Sequence, residues 1–331
     1  MCEVNQTEIT EIRLVGFQDL NTFIFPFFIV LLLIYIFILF GNLLIVILVT
    51  TFDHLKIPMF FFLKHLATVD VLLTTTIVPV MLHTIFTEEK SISFVNCMSQ
   101  LYCFGTCTCV QCYVIATMSY DRYVAICIPL RYAFLMNPNV CVSLVVGSWC
   151  LGTVIMSSEM IAVFHLDFCG LNYIDHFFCD FGPVVELSTS DTTGIMIHDF
   201  VISILLLPLP FACIVLTYIC ISFNILKISS ATGRRKAFST CSSHLATVCT
   251  YYGTLMTVYM VQTDYSTVNI NKYRSLLYIL GTPLINPFIY SLRNHEIKKT
   301  LLKLSRDGIP SSYKAVATRI GNANEELIIQ L

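Results

Sequence analysis

Long uncharged, mostly apolar stretches alternate along this chain with short charged ones. Charge-free gaps cover residues 20–52, 71–87, 91–120, 132–158, 200–226, 237–263 and 275–292. Each holds an apolar run close to the ~20 residues a helix needs to cross a ~30 Å hydrocarbon core. The second gap is short alone, but extending it back through Lys64 to Pro58 makes a full span that carries Asp70. The pattern predicts an all-α bundle of seven spanning helices, about 23–50, 58–85, 98–120, 140–161, 200–226, 238–261 and 275–292. Residues 1–22 form an N-terminal segment, 23–292 the transmembrane domain and 293–331 a tail.

Composition agrees. Of 331 residues, 56% are hydrophobic and 12% charged, where an ordinary soluble domain has about 25% charged. Mean hydropathy is +0.78. The basic residues set the orientation. Lys56, Lys64, Arg122, Arg131, the four between 227 and 236 and the seven from Arg293 onward fall on one side, against Arg13, Lys90, Lys272 and Arg274 on the other. By the positive-inside rule the tail is cytoplasmic and the N-terminus outside. The net charge of −2 averages an acidic outside and a basic inside, so it does not suggest nucleic acid; the surroundings are membrane lipid. The first apolar run starts near Phe23 without a basic region before it and is too long for a cleavable signal, so it reads as a retained helix. Asn5-Gln6-Thr7 is a glycosylation acceptor triplet on the outer side.

Most of the fifteen cysteines lie within spans, where a thiol behaves as a small apolar group. Cys2, Cys97, Cys169 and Cys179 are outside, and their spacing alone leaves several pairings open. The outer segment 162–199 is long, a length more often functional than not. Inside, residues 227–236 form a compact basic loop. After Arg293, Ile297, Leu301 and Leu304 alternate with Lys298, Lys299 and Lys303, the pattern of a short amphipathic helix on the inner leaflet.

Certain residues are expensive where they stand. A charge near mid-membrane costs at least ~2.5 to 3.5 kcal/mol on insertion scales, so Asp70 must face a polar interior. Asn42 and Asn286 are its candidate partners. The seventh span reads TPLINPFIYSLRN at 282–294, where Pro283 and Pro287 each remove a backbone donor and Tyr290 stands one turn from Asn286, the composition of a hinge. The third span ends in MSYDRYVAIC at 118–127, with Asp121 and Arg122 adjacent. Phe104, Thr108, Cys112, Ile115, Ser119 and Arg122 follow a three-or-four spacing, so one helical face runs from the outer half of this span to its cytoplasmic end. Paired intramembrane aspartates, HExxH clusters and channel filter segments do not occur, which argues against an enzyme or a channel.

Taken together, GN at 41–42, PMFFFL at 58–63, MSYDRYVAIC followed by PLRY at 129–132, KAFSTCSSH at 236–244 and NPFIYSLRN at 286–294 resemble an odorant receptor of the rhodopsin-like G-protein-coupled superfamily. The resemblance covers residues 9–304, and the wording of the KAFSTCSSH run is nearer to the terrestrial-type class.

The resemblance implies a Cys97–Cys179 disulfide. It also implies a second bridge from Cys169 to a later loop cysteine, but this chain has LSTSDT there, leaving Cys169 either unpaired or joined to Cys2. It implies a sodium ion shared by Asp70 and a glutamate on the third span; here Gln111 stands at that position, so a sodium site would rest on Asp70, Gln111 and Asn286. Ligand contacts implied by position are Phe104, Gly105, Thr108, Cys109 and Cys112 on the third span and Ile202, Ser203 and Leu206 on the fifth. Tyr252, Leu255, Met256 and Tyr259 follow on the sixth, and Leu276 and Ile279 on the seventh. Such a pocket suits a small, mainly apolar organic odorant. Coupling to a stimulatory, olfactory-type heterotrimeric G protein at the plasma membrane would run through Asp121, Arg122, Tyr218, Lys236, Ser239 and Tyr290. The competing reading is a seven-span transporter or ion-coupled carrier that uses Asp70.

Overall fold

The computed structural model describes residues 9–17, 23–87, 91–170, 172–259, 268–293 and 295–307. A strand β1 (Glu11–Leu14) precedes the long helices α1 (Ile24–Thr51) and α2 (Pro58–Thr87). Strand β2 (Ser91–Ser93) leads into α3 (Phe94–Cys127), and a short α4 (Tyr132–Leu135) into α5 (Pro138–Phe164). Then come β3 (Tyr173–Ile174), a short α6 (Phe181–Val185), α7 (Thr193–Leu206) and α8 (Pro208–Leu226). The chain continues through α9 (Ala231–Tyr259), α10 (Val268–Leu276), a π-helical turn (Leu277–Gly281), α11 (Thr282–Arg293) and α12 (His295–Asp307).

Among the described residues, α1, α2, α3, α5 and the joined segment Thr193–Leu226 are each long and apolar enough to cross a membrane. The last of these contains a break. Pro208 has no N–H to donate, but Leu207 N still reaches Ser203 O at 3.0 Å and Phe211 N reaches Leu207 O at 3.2 Å, so α8 continues α7 as one span. In α9 the apolar signal is diluted by Arg234, Arg235 and a run of serines and threonines, and α10 with α11 is interrupted by the π turn and two prolines. Both therefore depend on neighbours to shield polar groups. The helix starts carry ordinary caps: Ser93 Oγ accepts Asn96 N (3.2 Å) at α3, and Asn137 Oδ1 accepts Val140 N (3.1 Å) ahead of Pro138 at α5.

Helix α3 lies at the centre, packed on α2, α5, α8 and α9, while α1 sits at the edge against α2 and α11. Two glycines permit close approaches between helices. A Cβ on Gly41 would stand 2.9 Å from Pro287 Cβ, and one on Gly152 would stand 3.1 Å from Cys109 Cβ and Val110 Cγ2. Beside Gly41, Asn42 donates to Pro283 O (3.0 Å) and to Ile38 O (3.0 Å), so α1 is fastened to a carbonyl of the seventh span.

One end of the bundle is closed by a three-stranded sheet in the order β2-β1-β3. Strand β1 pairs antiparallel with β2 (Glu11 opposite Ser93) and parallel with β3 (Arg13 opposite Tyr173). Ile12, Leu14 and Ile174 bury their side chains beneath it, around the Cys97–Cys179 disulfide. Lys272, almost fully buried, donates to Asp175 Oδ1 (2.5 Å) and Gly16 O (2.9 Å), joining α10 to the cap. Cys169 is disulfide-bonded, which excludes the unpaired alternative; Cys2 lies outside the described residues. Where a later loop cysteine was expected, Ser188 Oγ and Thr189 Oγ1 donate to Asp167 O (3.2 and 3.3 Å) and Ser190 Oγ accepts Asp167 N (2.8 Å).

The opposite end is basic. There α12 buries Ile297 and Thr300 and exposes Lys298, Lys299 and Lys303, and Thr300 Oγ1 bonds His54 Nε2 (2.8 Å). Asn5 falls outside the described residues, as do the side chains of Lys236, Ser239 and Tyr259.

Two outcomes follow from the packing. Replacing Gly41 with Val forces atoms against Pro287 where rigid backbone and ring cannot yield, and overpacking of this kind costs about 1–3 kcal/mol. Thermal unfolding in detergent should show Gly41→Val melting below the parent, with Gly147→Val, in open space, near neutral. His176 supplies a pH dependence. Burial, and next the Lys272 charge, push its imidazole down to about 3. The unfolded chain therefore takes up a proton near 6.5 that the fold refuses, and stability is lost as pH falls below that value. Asp180, held up at about 6 mainly by burial, works in the opposite sense. Because His176 stacks on Phe177 at 4.6 Å, His176→Phe should keep the packing and remove the acid-linked loss. Its melting temperature relative to the parent should rise between pH 7.5 and pH 5.

Candidate functional site

Below the cap, α3 presents Phe104, Thr108 and Cys112 to a ring of aromatic side chains. The disulfide holds Cys179 to α3, and this brings the preceding Phe178 over Phe104 at 5.1 Å between ring centroids. From the seventh span, Tyr278 packs edge-on to Phe104 (6.2 Å), donates to Gln111 Oε1 (3.0 Å) and shares a hydroxyl contact with Thr108 Oγ1 (3.1 Å). From α9, Tyr251 donates to Thr108 O (3.1 Å) and lies 2.8 Å from Cys112 Sγ. Its neighbour Tyr252 packs on Phe211 of α8 (4.8 Å). No charged side chain belongs to this cluster among the described residues. The cluster is apolar with three hydroxyls, a composition suited to a small organic molecule. It offers no acid or base to a reaction.

The expected ligand contacts divide among three places. Phe104, Cys112, Tyr252, Leu255 and Ile279 are buried in the main core, with Leu276 packed against it. Gly105 instead faces Met156 of α5, and Cys109 clusters with Ile155 and Met156, beside Ile202 and Leu206 of α7. Ser203, half-buried, accepts at the α7–α8 break through its carbonyl. Met256 turns outward, 40% exposed. With Tyr252, Tyr218 and Phe223 it lines a cavity of about 650 Å³ between α8 and α9 that does not include the Phe104–Tyr278 cluster.

Three residues of the cluster escape the sequence reading. Phe178 is brought in by the disulfide across a long separation. Tyr251 points inward beside Tyr252 because both face a bundle that surrounds α9 on that side. Tyr278 lies in the π turn, where Tyr278, Ile279 and Leu280 are all buried, so the spacing that selects Leu276 and Ile279 passes over it.

Deeper in the bundle, fully buried Asp70 accepts Gln111 Nε2 at Oδ1 (2.6 Å) and Asn286 Nδ2 at Oδ2 (2.9 Å). Of its two expected partners, Asn286 makes the contact, whereas the Asn42 nitrogen is taken by the carbonyls of Pro283 and Ile38. At the basic end Arg122 pairs with Asp121, donating from Nε to Oδ2 at 3.0 Å and also from Nη2, while Tyr132 donates to Oδ1 (2.8 Å). Tyr218 shares a hydrogen bond with His244 Nδ1 (2.7 Å), and His244 Nε2 lies 3.2 Å from Ile115 O. Ser119 meets Thr217 at 2.9 Å. Helices α8 and α9 are thus latched to the same face of α3 that begins at Phe104. Tyr290 is fully buried on α11.

The model of a family described as olfactory receptor matches residues 31–307. The chain is 42% identical to Olfactory receptor 11L1 of Homo sapiens over 302 residues, which is 91% of this chain and 94% of that protein. It is 42% identical to Olfactory receptor 11A1 of Homo sapiens over 300 residues, 91% and 95% of the two chains. Olfactory receptor 5G26 of Mus musculus is 43% identical over 303 residues, 92% and 95%. A match that runs from the first helix to the last, at this identity and over nearly all of each relative, places the chain in the olfactory receptor family, a seven-helix membrane-receptor family and not an enzyme family.

Proposed function

We propose that this protein is an odorant receptor of the plasma membrane, with the sheet-capped end and N-terminus outside and the basic end in the cytoplasm. The excess of Lys and Arg at one end supports that orientation. So does the disulfide at the other, since such bonds persist in oxidising surroundings. Asn5 is then a glycosylation site on the outer segment. Membership of a receptor family disfavours the carrier reading.

The observation that carries the proposal is the construction of α3. One buried face holds the aromatic cluster around Thr108 at one end and the Asp121–Arg122 pair at the other. The ligand is a small, mainly apolar organic molecule with one hydrogen-bonding group, seated against Phe104, Thr108, Cys112, Tyr251, Leu255 and Tyr278. It shifts the bundle between two packings by its difference in affinity for them. In the second packing Arg122 leaves Asp121, the Tyr218–His244 latch between α8 and α9 is remade, and a cytoplasmic cleft opens to a heterotrimeric G protein of the stimulatory olfactory type. Lys236, Ser239 and Tyr290 border that cleft.

Cells expressing the full chain should raise cyclic AMP on exposure to members of a panel of volatile alcohols, ketones and esters. Arg122→Ala should lower that response at least about tenfold at equal surface expression, because the switch loses its inner contact. A ligand-driven flux across a sealed membrane without G protein would overturn the receptor reading. Thr108→Val tests the pocket: a net hydrogen bond contributes about 0.5–1.5 kcal/mol, so potency should fall about 3- to 10-fold for ligands bearing a hydroxyl or carbonyl. Hydrocarbons of the same shape should keep theirs.

A further inference from the structure

The residues around Asp70 do not fit the sodium ion that the resemblance implies. A cation needs oxygen lone pairs converging on one point, and here both carboxylate oxygens face N–H donors, Gln111 Nε2 at 2.6 Å and Asn286 Nδ2 at 2.9 Å. One amide N–H group on each oxygen supplies the positive end that a cation would otherwise bring. Gln111 is held in this sense: turned over, its Oε1 would lie against Asp70 Oδ1, oxygen on oxygen, and would leave the Tyr278 hydroxyl it now accepts at 3.0 Å. Asn42 Oδ1 and Asn286 Oδ1 are buried acceptors without a protein partner, but both are neutral and their nitrogens are committed to Pro283 O and Asp70. Among the described residues in contact with it, Asp70 alone brings a formal charge to draw an ion out of water.

We propose that the Gln111 carboxamide takes the place of a cation on Asp70, so that the polar core of this receptor is complete without sodium and is joined to the ligand cluster by a continuous run of hydrogen bonds, Thr108–Tyr278–Gln111–Asp70–Asn286. Gln111 is then a positioning residue. It connects the side chains that meet the ligand to Asn286, one turn beyond the carbonyl that anchors α1. A change at Tyr278 reaches α11 through side chains alone. The sodium-free core rests on the geometry of the bundle, and its link to a ligand rests on the odorant reading.

The test uses the purified full-length receptor in lipid nanodiscs, with neither odorant nor G protein present. Its melting temperature is measured as sodium chloride replaces choline chloride at constant ionic strength. The unmodified receptor should melt at the same temperature in both salts. Gln111→Glu should melt lower in choline, where two carboxylates face each other, and recover by at least about 3 °C in a saturable sodium-dependent rise. A saturable sodium-dependent rise in the unmodified receptor overturns the proposal, and so does a folded Gln111→Glu that is indifferent to sodium. If Gln111→Glu cannot be obtained folded, the titration of the unmodified receptor decides alone. A negative result leaves the cyclic AMP assay untouched, so failure here is distinguishable from failure of the odorant reading.

Discussion

A carboxylate surrounded by hydrocarbon has to find its hydrogen-bond donors inside the protein, and Asp70 finds them on two other helices. Its two oxygens are shared between Gln111 of α3 and Asn286 of α11, so one side chain ties three helices at mid-bundle. The surrounding lipid offers no alternative donor, and breaking either contact would leave a buried polar group unpaired. The same condition recurs nearby. Asn42 spends its nitrogen on Pro283 O, the carbonyl of a residue whose own ring has already disturbed the helical ladder. Gly41 next to it admits the ring of Pro287. The irregular seventh span is thus supported on one side by α1 and on the other by Asp70.

From this fastening the two ends of α3 take different characters. Toward the cap, the helix is covalently held through Cys97 and surrounded by rings from the loop, α9 and α10–α11. The cap is well tied: a sheet, an almost fully buried Lys272 and a network around Asp167 all constrain it. Toward the basic end, contacts are polar and exchangeable. Arg122 meets Asp121, Tyr218 meets His244 and Ser119 meets Thr217, each through side-chain hydrogen bonds. Covalent and apolar contacts at one end and hydrogen-bonded latches at the other suit a molecule that binds at the first and changes shape at the second.

The groove between α8 and α9 belongs to this asymmetry. These two helices touch each other sparingly and leave about 650 Å³ between them. Tyr218 lies at once on the groove wall and in the latch to His244. Helices that touch sparingly can move without breaking a packed core.

The bundle itself was legible in the amino-acid sequence because lipid imposes a one-dimensional condition: enough consecutive apolar residues to cross, with charges only where they are paired or at the edges. Asp70 announced itself for the same reason, as did Asn286 beside it, and Asp121 with Arg122 at a helix end. What a helix faces is a different matter. Gly105 and Cys109 share a helical stripe with Phe104 and Thr108, yet the rotation of α3 turns them toward α5. Met256 shares one with Leu255 and faces outward because α8 and α9 part there. Tyr278 sits in a π turn where three consecutive residues are buried, and the ordinary helical count passes over it. Phe178 enters because a disulfide carries its loop inward. Hydropathy and charge act locally and so are written along the chain, whereas helix rotation, phase and crossing are set by contacts between residues far apart in sequence, and those the tertiary structure alone decided.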